Sequence, residues 1–222
     1  MQIQPSSNRD IIHTISMADL IFWDFDGVIK DSVESKTNAF RRLFQPFGKL
    51  ISQRVCQHHE SHGGVSRFEK IPLYLDWAGL TVTPALVHEF CSRFSDYVLQ
   101  DVIDSPWIPG VLNYLQKQST QQYFVIITAT PQSEIEYILK TLGIDQHFRE
   151  VHGAPAVKSR SISDILFRLD LDPSKTLMLG DSSTDLLAAK ANDVQFVLRK
   201  TPLNQTLQTH FNGMSYHHMC YE

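Results

Sequence analysis

Three short apolar runs along the chain end abruptly in polar residues. Leu20-Ile21-Phe22-Trp23 stops at Asp24-Phe25-Asp26-Gly27, and Tyr123-Phe124-Val125-Ile126-Ile127 stops at Thr128-Ala129-Thr130-Pro131. Thr176-Leu177-Met178-Leu179 stops at Gly180-Asp181-Ser182-Ser183. Unbroken apolar stretches of this length suit strands of a parallel sheet covered on both faces. Segments with apolar residues at helical spacing follow, at Gln132 to Leu142 and Asp185 to Ala191. A fourth strand is predicted at Gln195 to Leu198, and Val157 to Leu169 reads as a loop leading into another helix. Alternating strands and helices predict an α/β fold with a parallel sheet. The polar residues at the strand tips should then converge where such sheets bind ligands.

The stretch from about Val33 to Gln100 differs, because it carries helical periodicity throughout and no apolar run comparable to the strands. It predicts an inserted α-helical domain. Pro106, Pro109 and Gly110 then punctuate the return to the core, with a helix from Val111 to Gln118. The expected division is a core of residues 17–32 and 104–222 around a helical domain of residues 33–103.

Composition narrows the function classes. The 222 residues are 42% hydrophobic and 20% charged, an ordinary globular balance. A net charge of −4 with scattered Lys and Arg leaves no basic footprint, so no nucleic acid and no membrane partner is expected. Residues 1 to 19 contain no secretory-type apolar run. The three cysteines, Cys56, Cys91 and Cys220, are widely spaced and odd in number, which fits a reducing, cytoplasmic setting.

The strand tips concentrate the candidate chemistry. Asp24 and Asp26 are two residues apart at a tip, with Gly27 next to let the backbone turn. Two carboxylates this close need a cation, or a proton kept for acid chemistry, although Asp-Phe-Asp-Gly also makes an ordinary solvated turn. The other tips supply the rest of a phosphoryl-transfer kit. Thr128 can donate to a phosphoryl oxygen, Lys158 can neutralise carboxylate and phosphate, and Asp181 and Asp185 offer oxygen ligands. A hard cation that takes carboxylates and phosphate oxygens is Mg2+ by preference.

At this point the residues resemble a family. Asp24-Phe25-Asp26-Gly27-Val28-Ile29 after its apolar strand is similar to the first signature motif of the haloacid dehalogenase superfamily. Thr128 resembles the second, Lys158 the third, and Gly180-Asp181-Ser182-Ser183-Thr184-Asp185 the fourth. The resemblance implies a Rossmann-like core with a helical cap inserted after the first motif. It further implies that Asp24 is the nucleophile of an aspartyl-phosphate mechanism and Asp26 the general acid/base. Mg2+ would be held by Asp24, the Asp26 carbonyl and Asp181, with Asp185 ligating or ordering a metal-bound water. The implied activity is a phosphatase acting on a small phosphorylated metabolite, a sugar phosphate or hydroxy-acid phosphate. The alternatives are a phosphosugar mutase of the beta-phosphoglucomutase type and a catalytically idle phosphate-binding module. Lys30 departs from the family pattern, where an apolar residue is usual; substrate contact or projection to solvent are both open.

Substrate choice should lie in the cap, where Gly64, Arg67 and Lys70 sit on a glycine-broken basic turn, together with Ala129 beside Thr128. The same turn also reads as a plain helix connection with solvated charges. His58, His59 and His62 lack a metal-binding arrangement. Phe68, Tyr74, Leu75, Trp77 and Phe90 read as cap core, and Trp23 and Trp107 likewise as packing. His217-His218 reads as tail.

Overall fold

The computed structural model describes residues 8–220; residues 1–7 of the stretch read as free of a secretory signal lie outside them. Six parallel strands form the sheet: β1 Leu20–Trp23, β2 Tyr123–Pro131, β3 Glu150–Ala154, β4 Thr176–Gly180, β5 Gln195–Arg199 and β6 Ser215–Tyr216, in the order β3-β2-β1-β4-β5-β6. β1 lies inside the sheet, and Trp23 is in register with Ile126 of β2 and Leu179 of β4. The Asp24 N–H continues that ladder to the Leu179 carbonyl at 2.9 Å. The three apolar runs therefore deliver their polar ends side by side.

Alternation along these strands divides the core. Ile21, Trp23, Phe124, Ile126, Leu177 and Leu179 join one apolar cluster, while Leu20, Phe22, Val125, Ile127 and Met178 join the other. Helices cover both faces: α1 Asn8–Ser16, then, after the helical insertion, α6 Val111–Gln118, α7 Gln132–Thr141, α8 Lys158–Leu169, α9 Ser183–Lys190 and α10 Gln205–His210. The insertion itself comprises α2 Val33–Phe44, α3 Lys49–Ser61, α4 Arg67–Trp77 and α5 Pro84–Asp104. Its interior is a stack of rings: Phe40, Phe44 and Tyr74 meet edge to face, and Phe94 lies 4.2 Å from Phe40. Tyr74, Leu75 and Phe90 are buried there, Trp77 is half-buried, and Phe68 is 40% exposed, contrary to its reading as core. Phe68 occupies the first turn of α4 just after the Ser66 cap, where it edges a groove shared with Val157.

The chain enters and leaves the insertion along paired segments. Asp31 N–H donates to the Pro106 carbonyl at 2.8 Å and Ile108 N–H to the Ile29 carbonyl at 3.0 Å. Lys30 lies between them and corrects both sequence readings, since it meets neither the cavity nor solvent. It is only 2% exposed, its Nζ donates to the Ile103 carbonyl at 2.9 Å, and it stands 4.5 Å from the Trp107 ring centroid. The aliphatic stem is buried, and a carbonyl and a π face satisfy the head.

Four elements were not read from the sequence: α1, β3, β6 and α10. Gly153 and Ala154 end β3, and Lys158, in the stretch read from Val157 as a loop leading into a helix, is the first residue of α8.

Candidate active site

Asp24, Asp26, Thr128, Asp181 and Ala129 line one small cavity at the carboxyl ends of β1, β2 and β4, roofed by α2, α3 and α4. Its volume is about 70 Å³. The cap turn contributes Gly64, Arg67 and Lys70, so every candidate substrate residue borders the same space. Gly27 holds a positive φ of +74°, and a Cβ there would collide with Asp181 Oδ2. The motif glycine therefore lets two strand tips close together.

Asp24 and Asp181, which line the cavity, belong to a packed carboxylate cluster with Asp185, which does not. Oxygens of Asp24, Asp181 and Asp185 all lie within 4.8 Å of one another. Lys158 bridges two of the three, at 2.6 Å from Asp185 Oδ1 and 3.2 Å from Asp24 Oδ2. Asp185 is fully buried because it also closes a capping box on α9, accepting from Ser182 Oγ at 2.6 Å and Ser182 N at 3.1 Å. Asp24 Oδ1 accepts from Phe25 N–H at 2.8 Å. Burial and then the Asp185 charge push the Asp24 carboxyl up to about 7, against the pull of Lys158. Burial followed by the charges of Asp24 and Asp185 raises Asp181 well above the carboxylate range. Lys158, despite burial, is held above its ordinary value by Asp185 and Asp24. Three carboxylates with one lysine between them form an oxygen donor set short of positive charge, which fits a divalent cation.

Asp26 has the opposite environment. Ser32 Oγ donates to its Oδ1 at 2.7 Å, Thr130 Oγ1 donates to its Oδ2 at 3.0 Å, and Lys36 makes an ion pair with Oδ2 while also donating to Thr130 Oγ1 at 2.9 Å. Burial would raise its carboxyl, but Lys36 and these donors bring it below the ordinary value. Two carboxylates two residues apart are thus driven in opposite directions, the condition for distinct roles. Thr128, 1% exposed, accepts from Thr130 N–H at 3.3 Å and keeps its own proton to donate.

Sequence reasoning missed Ser32, Lys36 and Thr130. Thr130 had a signal, since it is two residues beyond Thr128 on one strand face. Lys36 sits in the polar run Glu34 to Asn38, which resembles a solvated helix face. The cap side brings further surprises. The Arg67 guanidinium is taken up by Glu134 of α7, at 2.6 and 2.9 Å, with Ser95 Oγ at 2.6 Å. His58 Nδ1 lies 2.9 Å from the Tyr74 hydroxyl and its ring stacks on His62 at 3.8 Å.

The family model described as haloacid dehalogenase-like hydrolase matches residues 21–198, most of the chain and all of the site's strand tips. The chain belongs to the haloacid dehalogenase-like hydrolase family. Among curated relatives of this hydrolase, a phosphorylated carbohydrates phosphatase of Thermotoga maritima is 24% identical over 79% of this chain and 82% of its own length. A phosphoglycolate phosphatase of Pseudomonas putida is 25% identical over 80% and 68%. The structure of CbbY from Rhodobacter sphaeroides, solved with xylulose-1,5-bisphosphate, superposes with a TM-score of 0.72 at 17% identity over 91% of this chain and 95% of that one, a likeness of fold. Among the described residues no helix is long and apolar enough to cross a membrane.

Proposed function

We propose that this haloacid dehalogenase-like hydrolase is a Mg2+-dependent phosphatase of a small phosphorylated metabolite, a sugar phosphate or hydroxy-acid phosphate. The observation that carries the reading is the pairing of environments at β1: Asp24 within a carboxylate cluster bridged by Lys158, and Asp26 on a separate set of donors. In this reading residues 33–103 are a cap domain over a core of residues 17–32 and 104–222. The relatives named as phosphatases of phosphorylated carbohydrates and of phosphoglycolate support the substrate class.

Asp24, Asp181 and Asp185, with the Asp26 backbone carbonyl, would hold the metal. Bound there, Mg2+ would offset the carboxylate charge and polarise a phosphoryl oxygen. Asp24 attacks phosphorus, forming the Asp24 oxygen–phosphorus bond as the ester oxygen–phosphorus bond breaks. Asp26, which Lys36 and its hydroxyl donors hold ionised in the resting site, takes up a proton when substrate binds, gives it to the departing ester oxygen and then takes one from the water that cleaves the aspartyl-phosphate. Thr128 and Lys158 donate to the phosphoryl oxygens. Closed cap helices exclude other water.

The test is phosphate release by the purified protein from sugar phosphates, hydroxy-acid phosphates and an aryl phosphate, with Mg2+ and with chelator. Release that needs Mg2+ and falls at least about 1,000-fold in Asp24→Asn is expected. Folded wild type that releases none from any compound overturns the reading. Bisphosphate-dependent isomerisation in place of release would indicate a mutase.

A further inference from the structure

Three cations line the cavity from the cap, and two are matched by carboxylates. Lys36 pairs with Asp26, and Arg67 with Glu134. Lys70 has no carboxylate within ion-pair distance among the described residues, although it is only 2% exposed. Its Nζ lies 3.0 Å from His59 Nδ1. His59 is itself 7% exposed, is held against Phe40 at 4.8 Å between ring centroids, and has no hydrogen-bond partner at Nε2. Glu60 also borders the cavity, but it is half-buried, extends to outer grooves and makes no ion pair with Lys70.

A buried ammonium without a counter-charge costs several kcal/mol, and an unsatisfied buried ring nitrogen adds to that. The cost is visible in Lys70, which burial and the nearby Lys36 push down to about 7. An anion supplied by the ligand relieves the defect at Lys70. When Lys70 is an ammonium it donates to His59 Nδ1, which leaves the ring proton on Nε2 and lets the ring hold the ammonium in place.

We propose that Lys70, positioned by His59, forms a subsite for a carboxylate on the leaving group, so that the substrate is the phosphate ester of a short hydroxy acid. This rests on the phosphatase reading at Asp24. A carboxylate suits the subsite because one uncompensated cation matches a single negative charge. A second phosphate would call for the Arg67 fork, which Glu134 occupies. Size agrees: about 70 Å³ holds on the order of five waters, room for a phosphoryl group on a short carbon chain.

The experiment compares kcat/KM of the full chain, with Mg2+, for phosphoglycolate and for 2-hydroxyethyl phosphate, which has the same carbon count without the carboxylate. An aryl phosphate serves as the control for turnover. Wild type should prefer the carboxylate ester by about thirtyfold or more, the size of a charged hydrogen bond, with the difference carried mainly by KM. Lys70→Gln and His59→Gln should each reduce that preference to within about threefold of unity. Equal use of both esters by wild type overturns the subsite and leaves the phosphatase standing. Hydrolysis of none of the three overturns the phosphatase reading and the subsite with it. A preference that survives both substitutions also overturns the subsite. Should Lys70→Gln fail to fold, the wild-type comparison and His59→Gln still decide.

Discussion

Arg67 of α4 and Glu134 of α7 meet fork to fork across the boundary between the cap helices and the sheet-covering layer, with Nη1–Oε2 at 2.9 Å and Nη2–Oε1 at 2.6 Å. Ser95 Oγ of α5 donates to the same carboxylate at 2.8 Å, and the Phe94 ring lies 4.4 Å from the guanidinium. Residues 67 positions apart are thereby fixed in one buried unit that ties the cap to the core. A buried bidentate pair is costly to break by halves, because the remaining charge stays desolvated.

A double-mutant cycle on this pair should therefore be strongly non-additive. Arg67→Met and Glu134→Leu are each expected to destabilise by roughly 3 kcal/mol, and the double variant by clearly less than their sum. Denaturant unfolding of the four proteins measures the coupling, and a value below about 0.5 kcal/mol would mean that the two residues do not hold the cap to the core.

Lys36 is the largest influence lowering the Asp26 carboxyl, acting against burial. Lys36→Met removes that cation while leaving Ser32 and Thr130 as donors. The Asp26 pKa should rise, so the limb of the pH–kcat/KM profile governed by Asp26 moves to higher pH. A profile that stays in place would assign that limb to another group.

Much of the site was legible because buried parallel strands advertise themselves twice, by an unbroken apolar run and by its abrupt polar end. Asp24, Thr128 and Asp181 follow such runs, and the register of β1 with β2 and β4 brings them together. β3 was invisible for the converse reason: Glu150, Val151, His152 and Gly153 mix polar, small and apolar residues on a strand at the sheet's edge. The Lys36–Asp26 and Arg67–Glu134 pairs were hidden as well. A charged residue on a helix looks the same in sequence whether water or a distant carboxylate faces it. Lys30 shows the limit most plainly, since its partner is a backbone carbonyl, which leaves no mark in the sequence.

Asp24 makes a stability prediction whose sign follows from its raised carboxyl. With the folded value near 7 and the free value 3.8, the folded protein binds the extra proton between those pH values, so Asp24 destabilises increasingly as pH rises through that window. Asp24→Asn removes this. In metal-free buffer the variant's Tm should gain on wild type from pH 4 to pH 7 and hold its lead above, by about 1 kcal/mol or more, roughly 2–4 °C. Added Mg2+ should shrink the difference by stabilising the wild type. A Tm gap independent of pH and of Mg2+ would mean that Asp24 is not the group carrying this charge.

Gly64 tests whether the cap turn must touch the fourth motif for catalysis. It holds φ at +76°, and a Cβ there would fall on Thr184 Oγ1 and Ser182 Oγ. Ser182 Oγ is the group that donates to Asp185 Oδ2, so the collision reaches the carboxylate cluster through one hydrogen bond. In Gly64→Ala either the turn lifts from the core or Ser182 yields and Asp185 loses its orientation; both impair the closed site. Gly79→Ala separates backbone strain from collision, because Gly79 has φ +74° and nothing within 4 Å of its added Cβ. Both variants should lose about 1 kcal/mol of stability from the left-handed backbone. Only Gly64→Ala should lower kcat/KM, by at least about tenfold. Equal activity in the two variants would show that the turn need not seat on Ser182 and Thr184 for turnover.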